Sequence, residues 1–441
     1  MTHTLDLLIR NATVVNHDGA GVRDIGIRAG RIAALGSLGS ASANQTIEAA
    51  GLHILPGVID TQVHFREPGA MHKEDLESGS RAAVLGGVTA VFEMPNTSPP
   101  TTTAEALADK VARAHHRMHC DFAFWVGGTA DTIADIPELE QLPGAAGIKV
   151  FAGSSTGDLL VEDEATLAAI LSLASRRVTF HSESEARLRA RMGERRAGDP
   201  ASHSVWRDAQ AALDCTTLLV RLAEAARKPI HILHVSTAEE MAFLAGHKRY
   251  ASVEVTPQHL TLIAEQAYPK LGTRAQMNPP LRSAAHQAAL WQGLANGVAD
   301  ILGSDHAPHT LEEKAKPYPA SPSGMPGVQT LLPVMLDHVA AGRLSLARLV
   351  DMTSAGPQRL FGIAGKGRIA VGYDADLTVV DLNATRTIEA ARMASRSGWT
   401  PFDGRSVRGW PAGTIIRGRR VMWDGEVVGP GGGEAVVFLT G

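Results

Sequence analysis

The sequence predicts an α/β protein: a (β/α)8 TIM barrel with a small β-sandwich domain formed by the N- and C-terminal segments. Three observations predict this fold class. Through the middle of the chain, short apolar runs alternate with longer helix-like segments, as in a parallel barrel. Both ends instead carry short β-branched runs separated by glycines. The length of 441 residues suits one large domain and a smaller companion.

The elements follow from these patterns in chain order. Alternation predicts N-terminal strands over 5–8, 12–15, 25–27 and 32–35, and the small, polar stretch 36–44 predicts a loop. The runs that predict the eight barrel strands are 53–59, 90–94, 122–126, 147–151, 178–181, 230–235, 252–255 and 300–303. The clearest helices between them are 78–85, 103–117, 164–173, 209–226 and 284–294. The C-terminal strands are 376–381, 414–416 and 420–422.

This order also predicts the domain organisation. Neither end alone has enough strands to bury a face, so we expect residues 1–55 plus 366–441 to form the small β-sandwich domain. Residues 56–365 then form the barrel. A doubly wound open sheet is the competing architecture, and it usually carries a glycine-rich phosphate turn after its first strand. Here that place holds Asp60-Thr61-Gln62-Val63-His64, which contains no glycine.

Composition excludes several classes of function. The 42 basic and 46 acidic residues give a formal net charge of −4, so we expect no nucleic-acid partner. No apolar run reaches membrane-spanning length and the first residues lack a signal-peptide layout, which predicts a cytoplasmic protein with no membrane partner. The two cysteines cannot build a thiolate metal site, whereas 18 histidines are present. We therefore expect nitrogen and oxygen ligands for any bound metal.

Polar side chains follow several of the predicted barrel strands, at the end where barrel active sites lie. His64, His181, His234 and Asp305 come after strands one, five, six and eight. A single histidine at such a position is commonly a hydrogen-bonded core residue, and Asp305 alone could be the N-cap of the next helix. Their shared position at one end of one barrel predicts a metal site instead.

Lys149 lies inside the fourth predicted strand with apolar neighbours on both sides. A buried ammonium is costly, and it carries the wrong charge beside a metal. In this setting the neutral amine is favoured, and it can react with carbon dioxide to give an anionic carbamate whose two oxygens bridge two cations. The alternative is an ion pair with one of the barrel carboxylates. Among metal-type ligands, we expect the carbamate.

Several short motifs lie at the ends of the predicted strands. They are Pro56-Gly57-Val58-Ile59-Asp60, His64-Phe65-Arg66-Glu67-Pro68-Gly69, Gly86-Gly87-Val88-Thr89, Met94-Pro95-Asn96-Thr97, Gly147-Ile148-Lys149, Met277-Asn278-Pro279-Pro280-Leu281-Arg282, Ser304-Asp305-His306-Ala307-Pro308-His309 and Gly372-Tyr373-Asp374-Ala375-Asp376-Leu377. Because of these motifs, the chain resembles the dihydroorotases of the bacterial monofunctional kind within the amidohydrolase superfamily. The resemblance covers nearly the whole chain. The second and sixth motifs are the most specific.

The resemblance implies a zinc-dependent cyclic amide hydrolase that interconverts dihydroorotate and N-carbamoyl-L-aspartate in de novo pyrimidine biosynthesis. It implies one or two Zn²⁺ ions, a carbamylated lysine, a catalytic aspartate that carries the proton, a homodimer, and association with another pyrimidine-pathway enzyme. The residues that fall on the family's metal positions are His64, Lys149, His181, His234 and the catalytic Asp305. Those that fall on its substrate positions are Arg66, Asn96 and His309 for the carboxylate, and Asn278 with the 323–327 loop for the ring.

We expect Arg66 to select the substrate. Arginine offers a planar, permanently charged fork for a carboxylate, and Asn96 and His309 add donors. Related hydrolases that act on uncharged rings need no such arginine, so a hydantoinase-like or allantoinase-like enzyme is the alternative within this class. A salt bridge between Arg66 and Glu67 is the structural alternative.

Gln62 departs from the family pattern, which usually has His-x-His after strand one. A glutamine carbonyl is a weak ligand, and zinc prefers imidazole nitrogen. Three outcomes follow: two metals with a substitute ligand, one firmly held zinc, or a non-catalytic partner subunit. We expect the third least, because the other ligands are all present. The segment 310–329 is a candidate mobile lid.

Overall fold

The computed structural model describes residues 4–154 and 159–439, which form two β-sheets and the helices around them. The strands are β1 Leu5–Asn16, β2 Gly19–Arg28, β3 Arg31–Gly36, β4 Ala43–Glu48, β5 His53–Pro56, β6 Val58–Val63, β7 Val88–Glu93, β8 Asp121–Gly127, β9 Ala145–Phe151, β10 Val178–His181, β11 Ile230–Ile232, β12 Ala251–Val255, β13 Ile301–Leu302, β14 Leu377–Thr387, β15 Ser406–Ile416, β16 Arg419–Trp423 and β17 Glu426–Val427. The helices are α1 Leu76–Leu85, α2 Ala104–Ala114, α3 Ile136–Leu139, α4 Glu164–Leu173, α5 Glu185–Ala190, α6 Ser202–Trp206, α7 Ala209–Ala226, α8 Ala238–Ala245, α9 Pro257–Thr261, α10 Ala264–Leu271, α11 Ala284–Ala295, α12 Leu311–Lys314, α13 Leu331–Ala340, α14 Leu346–Val350 and α15 Gly356–Phe361.

Eight parallel strands, β6 to β13, form the barrel, and each lies beside its neighbour in the sequence. A parallel bridge between Val63 and His306 brings the first strand against the segment that follows the last. The backbone N–H of His64 donates to the His306 carbonyl over 2.7 Å at the same point. The predicted (β/α)8 barrel is thereby confirmed, and its first strand is joined to the segment that follows the last.

Apolar side chains fill the barrel below its polar end. Ile59, Phe92 and Trp125 from β6, β7 and β8 belong to one buried cluster with Ile301 of β13. Leu233, which directly follows β11 on the other side of the barrel, belongs to the same cluster, so these side chains meet in the interior. The Phe92 and Trp125 rings pack edge to face with centroids 6.0 Å apart. This packed interior supports the strand ends that carry the site.

The second sheet contains nine strands from both ends of the chain. Its order is β17-β16-β15-β14-β5-β1-β2-β3, and β4 pairs with β1. The pairing of β5 with β14, with Ile54 opposite Val379, joins the two ends. The prediction that the termini combine into one β unit is confirmed. From this arrangement we propose two domains. Residues 1–55 plus 366–441 form the small β-sandwich domain, and residues 56–365 form the barrel domain.

Gly57 separates the two sheets. The predicted strand 53–59 is in fact two strands, since β5 belongs to the nine-stranded sheet and β6 to the barrel. A Cβ at Gly57 would lie 2.2 Å from Thr89 Oγ1, so only glycine allows the chain to pass between them. The predicted loop 36–44 also ends earlier than expected, because β4 begins at Ala43 and pairs in parallel with β1.

The longer helices agree with the sequence pattern because polar caps fix their starts. Helices α4 and α7 have the predicted bounds, and the side chains of Asp163 and Asp208 accept the backbone N–H groups of Thr166 and Ala211. None of the helices in the described ranges combines the length and the apolar character needed to cross a membrane.

Candidate active site

A pocket opens at the carboxyl ends of the barrel strands, the end at which barrel active sites lie. Eight of the nine predicted site residues line it, together with Gln62, Phe151, Ala307, Ser323 and Gly324. The ninth, His309, is buried beside the pocket with its Nε2 3.4 Å from Arg66 Nη2. The structure therefore brings all nine residues together, although the role of each remains a prediction.

Three of the pocket residues have a strained backbone. Arg66, His234 and Asp305 have φ angles of 63°, 36° and 43°, values that non-glycine residues seldom adopt. Each follows a barrel strand, where the chain turns sharply and directs the side chain into the pocket. Strain of this kind is kept where surrounding packing fixes it, and it concentrates at functional sites.

His181 and His234 lie in contact with each other in the pocket. His181 donates its Nε2 proton to Glu183 Oε2 over 2.9 Å, so the Nδ1 of the neutral ring carries the lone pair. That Nδ1 lies 3.1 Å from His234 Nε2. Burial lowers the pKa of both histidines, which favours the neutral ring that binds metals. Two nitrogens on one tetrahedral zinc lie about 3.3 Å apart, so this pair fits a zinc ion.

Lys149 is fully buried and lies beside the histidine pair. Its Nζ donates to the Val150 carbonyl over 3.1 Å and lies 4.2 Å from the centre of the Phe151 ring. Among the residues that the structure describes, no carboxylate lies within 4.0 Å of Nζ, so the ion-pair alternative is not seen. Burial lowers the pKa of this amine well below its usual range. The neutral amine is the form that attacks carbon dioxide.

Asp305 contacts two groups of the first strand. Gln62 donates from Nε2 to Asp305 Oδ1 over 3.0 Å, and His64 Nε2 lies 3.3 Å from the same oxygen. Gln62 Oε1 is buried and has no hydrogen-bond partner among the described atoms. Burial raises the pKa of Asp305 to about 7. A carboxyl of this pKa can both accept and release a proton near neutral pH.

In residues 4–154 and 159–439, no group of three or more His, Cys, Asp or Glu side chains is arranged to hold a metal ion. The predicted ligand set explains this, because each of its two positions has only two ligands of these types. In that predicted set, one position would have His181 and His234, the other would have His64 and Asp305, and Lys149 would serve both as a carbamate. The donor chemistry, the unpartnered Gln62 Oε1 and the spacing of the histidine pair fit a metal once Lys149 is carbamylated.

Arg66 is buried and lines the pocket. Its Nε donates to the Pro308 carbonyl over 3.3 Å, and within the described ranges no carboxylate oxygen lies within 4.0 Å of the guanidinium. The alternative of a salt bridge to Glu67 is wrong, since Glu67 binds Arg117 at 2.8 Å. Burial lowers the pKa of Arg66 to about 10, so it stays charged. A buried cation without an anion indicates a site for an anionic ligand.

Asn278 lies on the ring side of the predicted site, and a histidine that the sequence did not reveal orients it. His203 Nε2 lies 2.9 Å from Asn278 Oδ1 and 3.2 Å from the Met277 carbonyl. Since both are acceptors, the Nε2 of His203 carries the proton. The Asn278 carbonyl is thereby occupied, which leaves its amide N–H groups for a ligand.

Glu183 and Arg207 were also missed by sequence analysis. Arg207 Nε lies 3.1 Å from both carboxylate oxygens of Glu183, and both side chains are buried. Burial raises the pKa of Glu183, but the charge of Arg207 and the bond from His181 lower it by more, so the carboxylate stays ionised. Carboxylates that fix histidine ligands in this way are common around metals. The only sequence signal was a glutamate two residues after a strand-end histidine.

The fold and the site together define the class of protein. It is a hydrolase barrel with buried histidines, a lysine and an aspartate at its strand ends. The model of the amidohydrolase family matches residues 53–421, and the chain belongs to this family. It is 40% identical to a dihydroorotase of Halobacterium salinarum over 425 residues, which covers 96% of this chain and 97% of the relative. It is 36% identical to an allantoinase of Rubrobacter xylanophilus, covering 97% and 96%.

A solved structure supports the same assignment. The L-hydantoinase (dihydropyrimidinase) from Arthrobacter aurescens superposes with a TM-score of 0.94 at 31% identity and covers 98% of this chain and 100% of the other. Together these comparisons confirm the resemblance found in the motifs. The chain is a hydrolase that acts on cyclic amides.

Proposed function

We propose that this chain is a zinc-dependent dihydroorotase, which interconverts dihydroorotate and N-carbamoyl-L-aspartate in de novo pyrimidine biosynthesis. The observation that carries the proposal is the buried guanidinium of Arg66, which has no carboxylate partner among the described residues and lines the pocket with Asn96. Dihydroorotate is a cyclic amide that bears a carboxylate. Its carboxylate therefore matches the guanidinium of Arg66, and its ring amide matches the predicted metal ligands.

Zinc would be held by Lys149 as a carbamate with His181 and His234, and by His64 and Asp305 at the second position. When bound, it supplies a Lewis acid and lowers the pKa of water to about 7, so that hydroxide is available near neutral pH. Glu183 keeps the His181 ring in the tautomer whose Nδ1 faces His234.

The protein's own groups handle the proton and the substrate. Asp305 accepts a proton from the attacking water at its carboxylate and delivers it to the ring nitrogen that leaves. Gln62 donates to Oδ1 of Asp305 and so fixes the orientation of that carboxylate. Arg66, Asn96 and His309 bind the substrate carboxylate, and Asn278 donates to the ring. These contacts place the scissile amide at the strand ends.

The same proposal includes the cellular setting. A pyrimidine-pathway enzyme of this kind acts in the cytoplasm on a small-molecule substrate. By the motif resemblance, we propose a homodimer that associates with the enzyme that supplies N-carbamoyl-L-aspartate.

A hydantoinase-like or allantoinase-like activity is the second candidate. The similarity to the L-hydantoinase structure and to the allantoinase favours it. Substrates of this kind carry no ring carboxylate, so they would leave Arg66 buried and without an anion. This difference makes Arg66 the residue that separates the two candidates.

The test compares the wild type and Arg66→Ala, each with its zinc content measured, on dihydroorotate and on hydantoin. We expect wild-type turnover of dihydroorotate and a loss of about a hundredfold in kcat/KM in the variant, because a charge-assisted contact is removed. Hydantoin hydrolysis should be unchanged. Arg221→Ala, at an exposed arginine of α7, is the matched control. A zinc-loaded wild type that is inert on dihydroorotate contradicts the proposal, as does full activity of Arg66→Ala.

A further inference from the structure

We propose that Lys73 and Glu313 are positioning residues that set the tautomer of His309, so that its Nε2–H group faces the substrate carboxylate. The inference rests on the proposed function, because it concerns how that carboxylate is bound. Neither residue lines the pocket. They act through His309, and thereby make the enzyme selective for a carboxylated ring.

The contacts of His309 fix which ring nitrogen carries the proton. Nε2 lies 3.0 Å from the carbonyl oxygen of Ser323, which can only accept a hydrogen bond. Nδ1 lies 3.2 Å from the ammonium nitrogen of Lys73, which can only donate, and 3.6 Å from Oε2 of Glu313, which is beyond hydrogen-bond distance. Burial lowers the pKa of His309 to about 3, so the ring is neutral. Nε2 therefore carries the proton and Nδ1 the lone pair.

This tautomer has a consequence at the pocket. Arg66 Nη2 lies 3.4 Å from His309 Nε2, so two donor groups lie side by side with no proton to share between them. Neither can accept from the other. A bound carboxylate would accept from Arg66 and share the Nε2 proton of His309, which in the ligand-free protein goes to the Ser323 carbonyl. A carboxylate has two oxygens with the spacing to bind both. The opposite tautomer would present a lone pair to the substrate anion and repel it.

Glu313 holds Lys73 in place. Its Oε1 lies 3.1 Å from Lys73 Nζ and 3.3 Å from His72 Nε2, while Oε2 accepts the backbone N–H of Thr310 over 3.2 Å. The last contact is half of the capping box of α12. The carboxylate is therefore tied to its helix and to the loop that carries Lys73. Glu313 and Lys73 are only partly exposed, with 21% and 16% of their side chains accessible.

The backbone of His309 is fixed independently. Trp399 donates from Nε1 to the His309 carbonyl over 2.8 Å. The position of the ring is thus set by the fold, whereas its protonated nitrogen is set by Lys73. This division allows the tautomer to be changed without moving the residue.

The Glu313→Gln variant separates a positioning role from a simple charge effect, because the two predict opposite changes in the affinity for the anionic substrate. Loss of a negative charge near the pocket would strengthen the binding of an anionic substrate. Loss of the group that holds Lys73 would weaken it, because His309 no longer keeps its tautomer. Glutamine is accepted at this place of a capping box, so α12 keeps its cap.

The experiment measures steady-state kinetics of the zinc-loaded protein on dihydroorotate. We expect KM to rise about tenfold in Glu313→Gln and in Lys73→Met, with kcat within about twofold, because binding shared by ground and transition state is lost. Glu312→Gln, at the exposed neighbouring residue, should match the wild type. An unchanged or lowered KM in Glu313→Gln overturns the proposal, as does a loss that falls on kcat alone.

A second measurement does not depend on the substrate. ¹⁵N spectra of histidine-labelled protein, assigned with His309→Gln, should show Nε2 protonated in the wild type and a mixture of tautomers in Lys73→Met. A wild-type ring protonated at Nδ1 overturns the inference even if dihydroorotate is the substrate. A protein that shows the expected tautomer but does not turn over dihydroorotate contradicts the proposed function alone.

Discussion

Gln62 presents its amide N–H group to Asp305, and the contact of 3.0 Å occupies the side chain as a donor. Its Oε1 is a neutral carbonyl oxygen, which zinc binds less well than an imidazole nitrogen. In the proposed zinc site, the position of His64 and Asp305 would lack one strong ligand, while His181, His234 and a carbamylated Lys149 would serve the other. The proposed function therefore predicts one firmly held zinc ion.

Gln62→His should restore the missing ligand. We expect the zinc content after dialysis against a weak chelator to rise from about one to about two ions per chain, since imidazole is the preferred ligand. Inductively coupled plasma mass spectrometry measures this directly. Gln62→Ala is the control and should stay at one ion. Two tightly held ions in the wild type, or one in Gln62→His, contradict the inference.

The residues found from the sequence share one property, which is their place in the chain beside a strand end. Arg66, Lys149 and Asp305 could be predicted because a barrel brings all strand ends to one rim. Arg207 could not, since it binds Glu183 from a different loop and no local pattern signals that contact. His203 is likewise recognisable only once Asn278 lies next to it.

The segment after α12 reaches the pocket with Ser323 and Gly324, and it contacts Lys314, a buried lysine of α12. Lys314 Nζ lies 3.2, 2.8 and 3.2 Å from the carbonyl oxygens of Gln276, Pro322 and Gly324. No carboxylate pairs with it in the part of the chain that the structure describes. The three contacts hold Gly324 at the pocket wall. This segment is the lid candidate of the sequence analysis, and whether it moves stays a prediction.

The stability of the protein should depend on pH through Lys314. Burial lowers its pKa from 10.5 to about 7, so between these values the unfolded chain binds the proton and the folded chain does not. The contribution of Lys314 to the free energy of unfolding therefore rises as the pH rises from 7 to 10. Lys314→Met removes the titration, so the Tm advantage of the wild type over the variant should grow across this range. Thermal unfolding followed by circular dichroism checks it, and a constant difference in Tm contradicts it.

Element boundaries were predictable where side chains fix them. The capping aspartates of α4 and α7 mark their starts in the sequence. The strand 53–59 could not be divided correctly, because its first half pairs with β14, more than three hundred residues away. Both halves are apolar and buried, and no local signal assigns them to different sheets.

At the scale of the whole molecule, a buried ionic network joins the barrel to the nine-stranded sheet. Asp121, at the start of β8, binds Lys366 at 2.6 Å and Arg417 at 2.5 Å. Lys366 also contacts Asp376, next to β14. Burial lowers the pKa of Lys366, but the charges of the two aspartates raise it by more, so the ammonium stays protonated. The two parts are thereby held at a point remote from the pocket.

Asp121→Asn should destabilise the protein without touching the site. Removal of one partner leaves buried cations short of an anion, which costs about 3–5 kcal/mol. Urea unfolding should show a lower midpoint, and kcat and KM of the folded variant should not change. Glu389→Gln, which breaks the exposed pair with Arg392, should cost less than about 1 kcal/mol. Equal midpoints for the two variants contradict the assigned role of the network.

The nine-stranded sheet also has a consequence for the order in which the chain is made. A ribosome delivers β1 to β5 first, yet their neighbour β14 emerges only after the whole barrel. Until then β5 has an open edge, and unpaired edges invite wrong partners. The barrel, whose strands pair in chain order, can form in the meantime. The free edge of β5 can therefore reach its final pairing only after β14 has been made.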